Sequence, residues 1–197
     1  MRLRALIFAL LLPALTASAA PREFHLFASA GQNPDNWHGH SFFRTLTFEL
    51  TFDQPRLMQR LTQRLRVPGL EVGASVSYHD IRQPHSWFGY QYEDLQDSVR
   101  GESMELFVRH TWRPQGDVRP FADLGTGPMW SNRRVPAATS RLNFNSQFGV
   151  GAVFFAHSRW PLLAGYRFAH VSNGGSTGRN PGLDVHLLFV GTTLKRW

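Results

Sequence analysis

The segment Arg167-Phe168-Ala169-His170-Val171-Ser172-Asn173-Gly174-Gly175 holds the residues best suited to chemistry. His170 and Ser172 are two apart, so on a strand they project from the same face. A hydroxyl beside an imidazole is a nucleophile with its base, the minimal couple for acyl transfer. Asp184 follows the loop 174–183 and offers a carboxylate to orient the imidazole and stabilise its charged form. The tight turn after the serine would bring the Asn173 amide and a backbone N–H toward a developing oxyanion. His186 shares a row with Asp184 and is a weaker alternative base. A polar edge where a strand meets a loop would look the same, so the deciding question is which face these side chains occupy.

That question turns on the elements that position them. Apolar and polar residues alternate with period two through Leu70–Tyr78, Met104–Trp112, Leu142–Phe154, Leu162–Phe168 and 183–194. With turn signals between them, eight strands are expected near 22–30, 39–52, 69–78, 101–113, 118–130, 142–156, 160–172 and 183–195. Residues 31–38, 79–100, 131–141 and 173–182 read as longer polar connections. Two barrels fit: a soluble one with its apolar face inward, and an eight-stranded antiparallel transmembrane β-barrel with its apolar face outward. The polar rows hold Glu71, Glu105, Arg109, Asp123, Asn143, Asn145, Gln147 and Arg167, a set suited to a lumen. Several strands also reach the ~9–11 residues needed to cross a bilayer. Trp112, Trp130, Trp160 and Trp197 fall near strand ends, as an aromatic girdle requires. In the membrane version His170, Ser172 and Asp184 all point toward lipid, where a polar side chain has no packing reason to be.

Composition narrows the class further. The 197 residues contain no Cys, which excludes a disulfide scaffold, a Cys-ligated metal and a thiol nucleophile. Residues 1–20 combine Arg2 and Arg4, an apolar core from Ala5 to Leu15 and small residues at 17–20. This reads as an export signal, with residues 21–197 forming a single barrel domain. The excess of 21 basic over 14 acidic residues invites a nucleic-acid reading, but export and the scatter of the arginines argue against it. Arg56, Arg60 and Arg64 stand at helical spacing beside Leu57, Leu61 and Leu65, a short amphipathic stretch for a lipid surface or a solvated helix face. Asp35, His38 and His40 could hold a metal, yet two histidines near a loop are more often unliganded. The glycines from 174 to 182 lack the Lys-Ser/Thr of a phosphate loop. No metal or cofactor is expected.

At RFAHVSNGG, followed by a loop and NPGLD, the chain resembles the PagL-type lipid A 3-O-deacylases, and RPFADLGTGPMW and RLNFNSQFGVGAVFF resemble that family's paired central strands. The resemblance covers roughly 117–195. It implies an outer-membrane barrel that hydrolyses the ester-linked acyl chain at the 3-position of lipid A, with lipopolysaccharide as its partner. The family's H-x-S-N motif falls on His170, Ser172 and Asn173, and its oxyanion site on Asn173 and Gly175. Its third catalytic residue is a glutamate twelve positions after the serine. Asp184 stands there, with the same charge and one methylene fewer. Arg133, Arg134, Arg141 and Arg179 lie in connections at the His170 end and are candidates for lipid A phosphates, or ordinary solvated loop residues. The oligomeric state stays open, a homodimer included. The other readings are a non-enzymatic outer-membrane barrel with a structural, adhesive or binding role, and a soluble barrel with an interior ligand.

Overall fold

The computed structural model describes residues 20–34, 40–52, 59, 63–64, 69–85, 96–137, 139–178 and 180–197. Residues 1–19 of the expected export signal, Asp35, His38, Arg56, Arg60 and Arg179 lie outside the described residues. Eight strands, β1 (Pro21–Gln32), β2 (Phe42–Phe52), β3 (Leu70–Pro84), β4 (Gln96–Thr111), β5 (Arg119–Ser131), β6 (Leu142–Phe154), β7 (Leu162–Ser172) and β8 (Leu183–Arg196), follow one another in chain order. Every neighbouring pair is antiparallel, and β8 pairs with β1 to close the barrel. Closure matters because a sheet edge in lipid would leave backbone N–H and C=O groups without partners. The expected strands are all present. The difference lies at 79–100, expected as a loop. Here β3 runs on to Pro84 and β4 starts at Gln96, paired in register from Gln83↔Asp97 to His79↔Gly101.

The alternation sorts side chains as expected. Leu46, Phe48, Val76, Tyr78, Leu124, Phe148, Leu188 and Val190 face outward and are exposed. Trp112, Trp160 and Trp197 lie at the end where β1 begins and β8 ends, called the lower end here, and Trp130 stands at the upper end. The interior departs from an all-polar lumen and is layered. An aromatic floor at the lower end consists of Phe27, Phe121, Leu163 and Phe189. The Phe189 ring fits because Gly151 and Gly165 lack side chains: a Cβ on either would lie 2.8 and 2.6 Å from Phe189 Cζ.

Above that floor Arg109 is wedged between two carboxylates. It donates to Glu49 through Nη1 (2.7 Å) and Nη2 (3.0 Å), and to Asp123 through Nη2 (2.7 Å). Its guanidinium lies over the Phe121 ring at 4.3 Å, and Arg167 approaches Asp123 at 3.4 Å. A network centred on Glu105 follows: Ser75, Ser103 and Asn145 all donate to its carboxylate, and Ser103 meets His79, which meets Thr45. The upper end is closed by a second apolar layer of Phe43, Ile81, Val99, Met129, Val135, Ala169, Val171, Leu183, Val185 and Leu187. Burying polar groups is tolerable only when they are paired, and pairing concentrates them at mid-height.

Arg109 is the only residue that contacts both Glu49 and Asp123 by short hydrogen bonds among the described residues. Arg109→Leu leaves two buried carboxylates short of a partner, and a cost of about 3–5 kcal/mol is expected. A urea titration of the detergent-folded barrel, read by its heat-modifiable gel mobility, checks this.

Candidate active site

The upper corner of β7 and β8 is built by alternation. Ala169 and Val171 point inward from β7, and Leu183 and Val185 from β8, all buried in the upper apolar layer. The residues between them, His170, Ser172 and Asp184, therefore project outward from a rigid backing. Register brings the second half together: His170 and Asp184 are directly opposed across β7 and β8. His170 Nδ1 meets Asp184 Oδ1 at 2.6 Å, with the two side chains 43% and 52% exposed. The shorter aspartate reaches the ring because it starts from the directly opposed position, where Cβ atoms are only ~4.5–5.5 Å apart. The carboxylate makes Nδ1 the proton-bearing nitrogen and leaves Nε2 as a base. Ser172 lies two residues along the same outward row. Among the described residues no hydrogen bond joins its hydroxyl to His170.

Gly182 completes the seat of the imidazole. Its φ is +70°, and a Cβ there would fall 2.7 Å from His170 Cε1. The ring packs against bare backbone. Pro181-Gly182 before a strand is the local signal for such a turn.

The loop after Ser172 is organised by Asn173, which is buried. Its amide Nδ2 donates to Thr177 Oγ1 (2.6 Å), and its Oδ1 accepts the Gly175 N–H (2.9 Å). Its own N–H donates to Asn180 Oδ1 (3.0 Å). The Asn173 amide and the Gly175 N–H are thus brought to one turn, and in this arrangement the glycine donor is spent on the asparagine. Thr177 and Asn180 carry no sequence signal for this role.

The remaining candidates separate. His186 faces outward one step deeper than Asp184, and its Nδ1 is held by the Tyr166 hydroxyl rather than by the serine. Arg141 precedes β6, whose Phe144 opposes Ser172, so it stands above the site. Arg133 is tied instead to Asp97 (2.7 Å), and the Arg134 carbonyl to Gln83 (2.7 Å), both over β3 and β4. Of the metal candidates only His40 is among the described residues, and no metal-holding cluster occurs among them.

Sequence reasoning missed a feature of the outer wall beside the site. His170 opposes Ser146, Ser146 opposes Thr126, Thr126 opposes Leu106, and Leu106 opposes Ala74. The row starts near the upper end of β7 and ends near the lower end of β3, because closing a barrel requires staggered strands. Along it runs an outward groove of about 420 Å³, lined by Ser146, Thr126, Leu106, Leu124, Val108 and Val72 among others. Thr126 and Ser146 hydrogen bond to each other (2.8 Å) at its head, and the rest of the lining is apolar. Ser146 breaks an otherwise apolar outward row between Phe144 and Phe148, and that break was the available signal.

A family model described as "Lipid A 3-O-deacylase (PagL)" matches residues 68–193. Among solved structures, the fold is similar to that of the outer membrane enzyme PagL, with a TM-score of 0.61, 16% identity, and coverage of 85% of this chain and 97% of that one. It is also similar to Neisserial surface protein A, with a TM-score of 0.58, 12% identity, and coverage of 89% and 99%. A search of curated proteins found no match.

The short Nδ1–H contact to Asp184 should give a downfield imidazole proton resonance in detergent-solubilised protein. Asp184→Ala removes it. Gly182→Ala, which crowds Cε1, should shift or broaden it while the backbone spectrum stays folded.

Proposed function

The chain belongs to the lipid A 3-O-deacylase (PagL) family, and we propose that it is an outer-membrane esterase that removes the 3-O-linked acyl chain of lipid A. The observation carrying this reading is a His170–Asp184 pair with Ser172 on the same row, on the outside of a barrel whose outer wall is mostly apolar. A buried ester at a lipid boundary can be reached only from that side. In this reading residues 1–20 direct export, and residues 21–197 fold into the outer membrane with the β7–β8 corner near the headgroups of the outer leaflet.

The chemistry follows from the atoms available. Ser172 Oγ attacks the ester carbonyl carbon while His170 Nε2 takes its proton. Asp184 keeps Nδ1 protonated and stabilises the imidazolium without itself being protonated. The tetrahedral intermediate collapses, and its C–O bond to the sugar breaks. The leaving sugar oxygen takes the proton from Nε2. Water then attacks the acyl-enzyme, gives its proton to His170, and releases the fatty acid with Ser172 restored. The Asn173 amide and the Gly175 N–H, now engaged with Thr177 and with Asn173 itself, would turn to the oxyanion when substrate enters. Arg141, just before β6 at the upper end, would be the candidate for a sugar phosphate, since Arg133 is already paired with Asp97.

The groove suits the scissile chain. It begins one strand from His170 and descends through apolar lining toward Val72 and Phe52. An alkyl chain laid along it keeps its ester at the upper corner.

Mass spectrometry of lipid A from cells making the protein should show loss of one ester-linked acyl chain, and Ser172→Ala or His170→Ala should abolish the change. Asp184→Asn should slow turnover by about 10⁴-fold, the magnitude known when a triad carboxylate is neutralised. Unmodified lipid A from cells with folded wild-type protein would end the deacylase reading. Ala74→Trp fills the lower part of the groove. It should depress hydrolysis of long acyl chains and spare short ones, measured on a chain-length series of esters.

A further inference from the structure

Two polar side chains on the outer wall are left over by the reaction above. Tyr166 and His186 both face outward, the hydroxyl of one hydrogen bonded to Nδ1 of the other. Phe168 opposes His186 across the strands and packs against its ring edge-to-face, with centroids 5.5 Å apart. The Tyr166 ring approaches at 5.8 Å. The imidazole is thus fixed from two sides. Among the described residues neither Tyr166 nor His186 has another hydrogen-bond partner.

Proton counting gives this pair a free donor. A neutral imidazole carries one N–H and a phenol one O–H. Their mutual bond uses one of these protons in either tautomer. The other, His186 Nε2–H or the Tyr166 O–H, has no acceptor among the described residues; the residues directly opposed to the pair are Phe168, Leu188 and Val150, and on the β1 side of His186 the exposed Gln32. Such a donor on the lipid-facing wall, with only Gln32 as a polar neighbour across the strands, is available to a lipid oxygen.

Position identifies the oxygen. His186 is the next outward residue below Asp184 on β8, on the side of His170 away from the groove, which leaves through β6. If the scissile chain follows the groove, the acyl chain on the neighbouring sugar carbon must pass over β8. We propose that Tyr166 and His186 form a second lipid-binding element that takes the carbonyl oxygen of this retained, amide-linked chain. The proposal rests on the deacylase reading. It makes His186 a residue that selects lipids acylated on both adjacent positions.

The test uses full-length Ser172→Ala protein in neutral detergent, which binds without turnover. Two synthetic probes are titrated by calorimetry: a glucosamine 1-phosphate with an ester chain at O3 and an amide chain at N2, and the same molecule lacking the amide chain. Adding His186→Leu should raise Kd for the two-chain lipid by about 3- to 10-fold, the worth of one hydrogen bond. It should change Kd for the one-chain lipid by less than about twofold, and His186→Gln, which keeps a donor, should recover part of the loss. Equal losses for both probes, no loss for either, or no binding of the two-chain probe overturns the proposal. Hydrolysis by wild type is scored separately. An inactive wild type together with retained discrimination in the Ser172→Ala background would sink the deacylase reading while supporting the second element.

Discussion

Pairing β8 with β1 leaves the backbone no free edge, and that closure governs the rest of the molecule. Once every strand is paired on both sides, each residue has two options: it points into the lumen or out of the wall. The pleat alternates them along each strand, apart from register shifts near the start of β1. An inward residue is forced into a crowded space, and an outward residue meets whatever surrounds the barrel. His170 and Ser172 sit outside because Ala169 and Val171 fill the inside, and one arrangement implies the other.

Closure also fixes which residues become neighbours across strands. Staggering lets the His170–Ser146–Thr126–Leu106–Ala74 row descend as it circles the wall. The same stagger sets Asp184 squarely opposite His170. A glutamate's extra methylene is unnecessary when the partner is that close. Inside, the wedge of Arg109 between Glu49 and Asp123 ties β2, β4 and β5 at mid-height, so the strands that carry the groove are braced from within.

Much of this was legible in the sequence, for a physical reason. Period two is a local property, so the eight strands, the outward Leu46–Val190 face and the polar Glu105–Arg167 rows can be read from single segments. The outward placement of His170 and Ser172 follows from Tyr166 and Phe168 two and four residues earlier. Cross-strand register cannot be read that way, since it depends on turns and on closure. The groove, the His186–Tyr166 contact and the reach of Asp184 were hidden for that reason. The β3–β4 extension beyond residue 79 was hidden by its polar composition, which resembles a loop until Asp80, Arg82 and Arg100 are seen to point outward from paired strands. The apolar layers at both ends of the lumen escaped notice because inward Phe27, Ile81, Met129 and Val185 were not separable from outward apolar residues without knowing the turn that sets each strand's phase. The turn hydrogen bonds of Asn173 depend on Thr177 and Asn180, whose types alone signal nothing.

The layered interior has one more consequence. Phe27, Phe121, Leu163 and Phe189 close the lumen below and Ile81, Val99, Met129 and Leu187 close it above, with paired charges between. Two voids between these layers are about 10 Å³ each, too little for a water file. Among the described residues the apolar layers leave ions and solutes no open path along the lumen. With the reaction site on the outer wall, as proposed, such a protein could become abundant without opening the surrounding membrane.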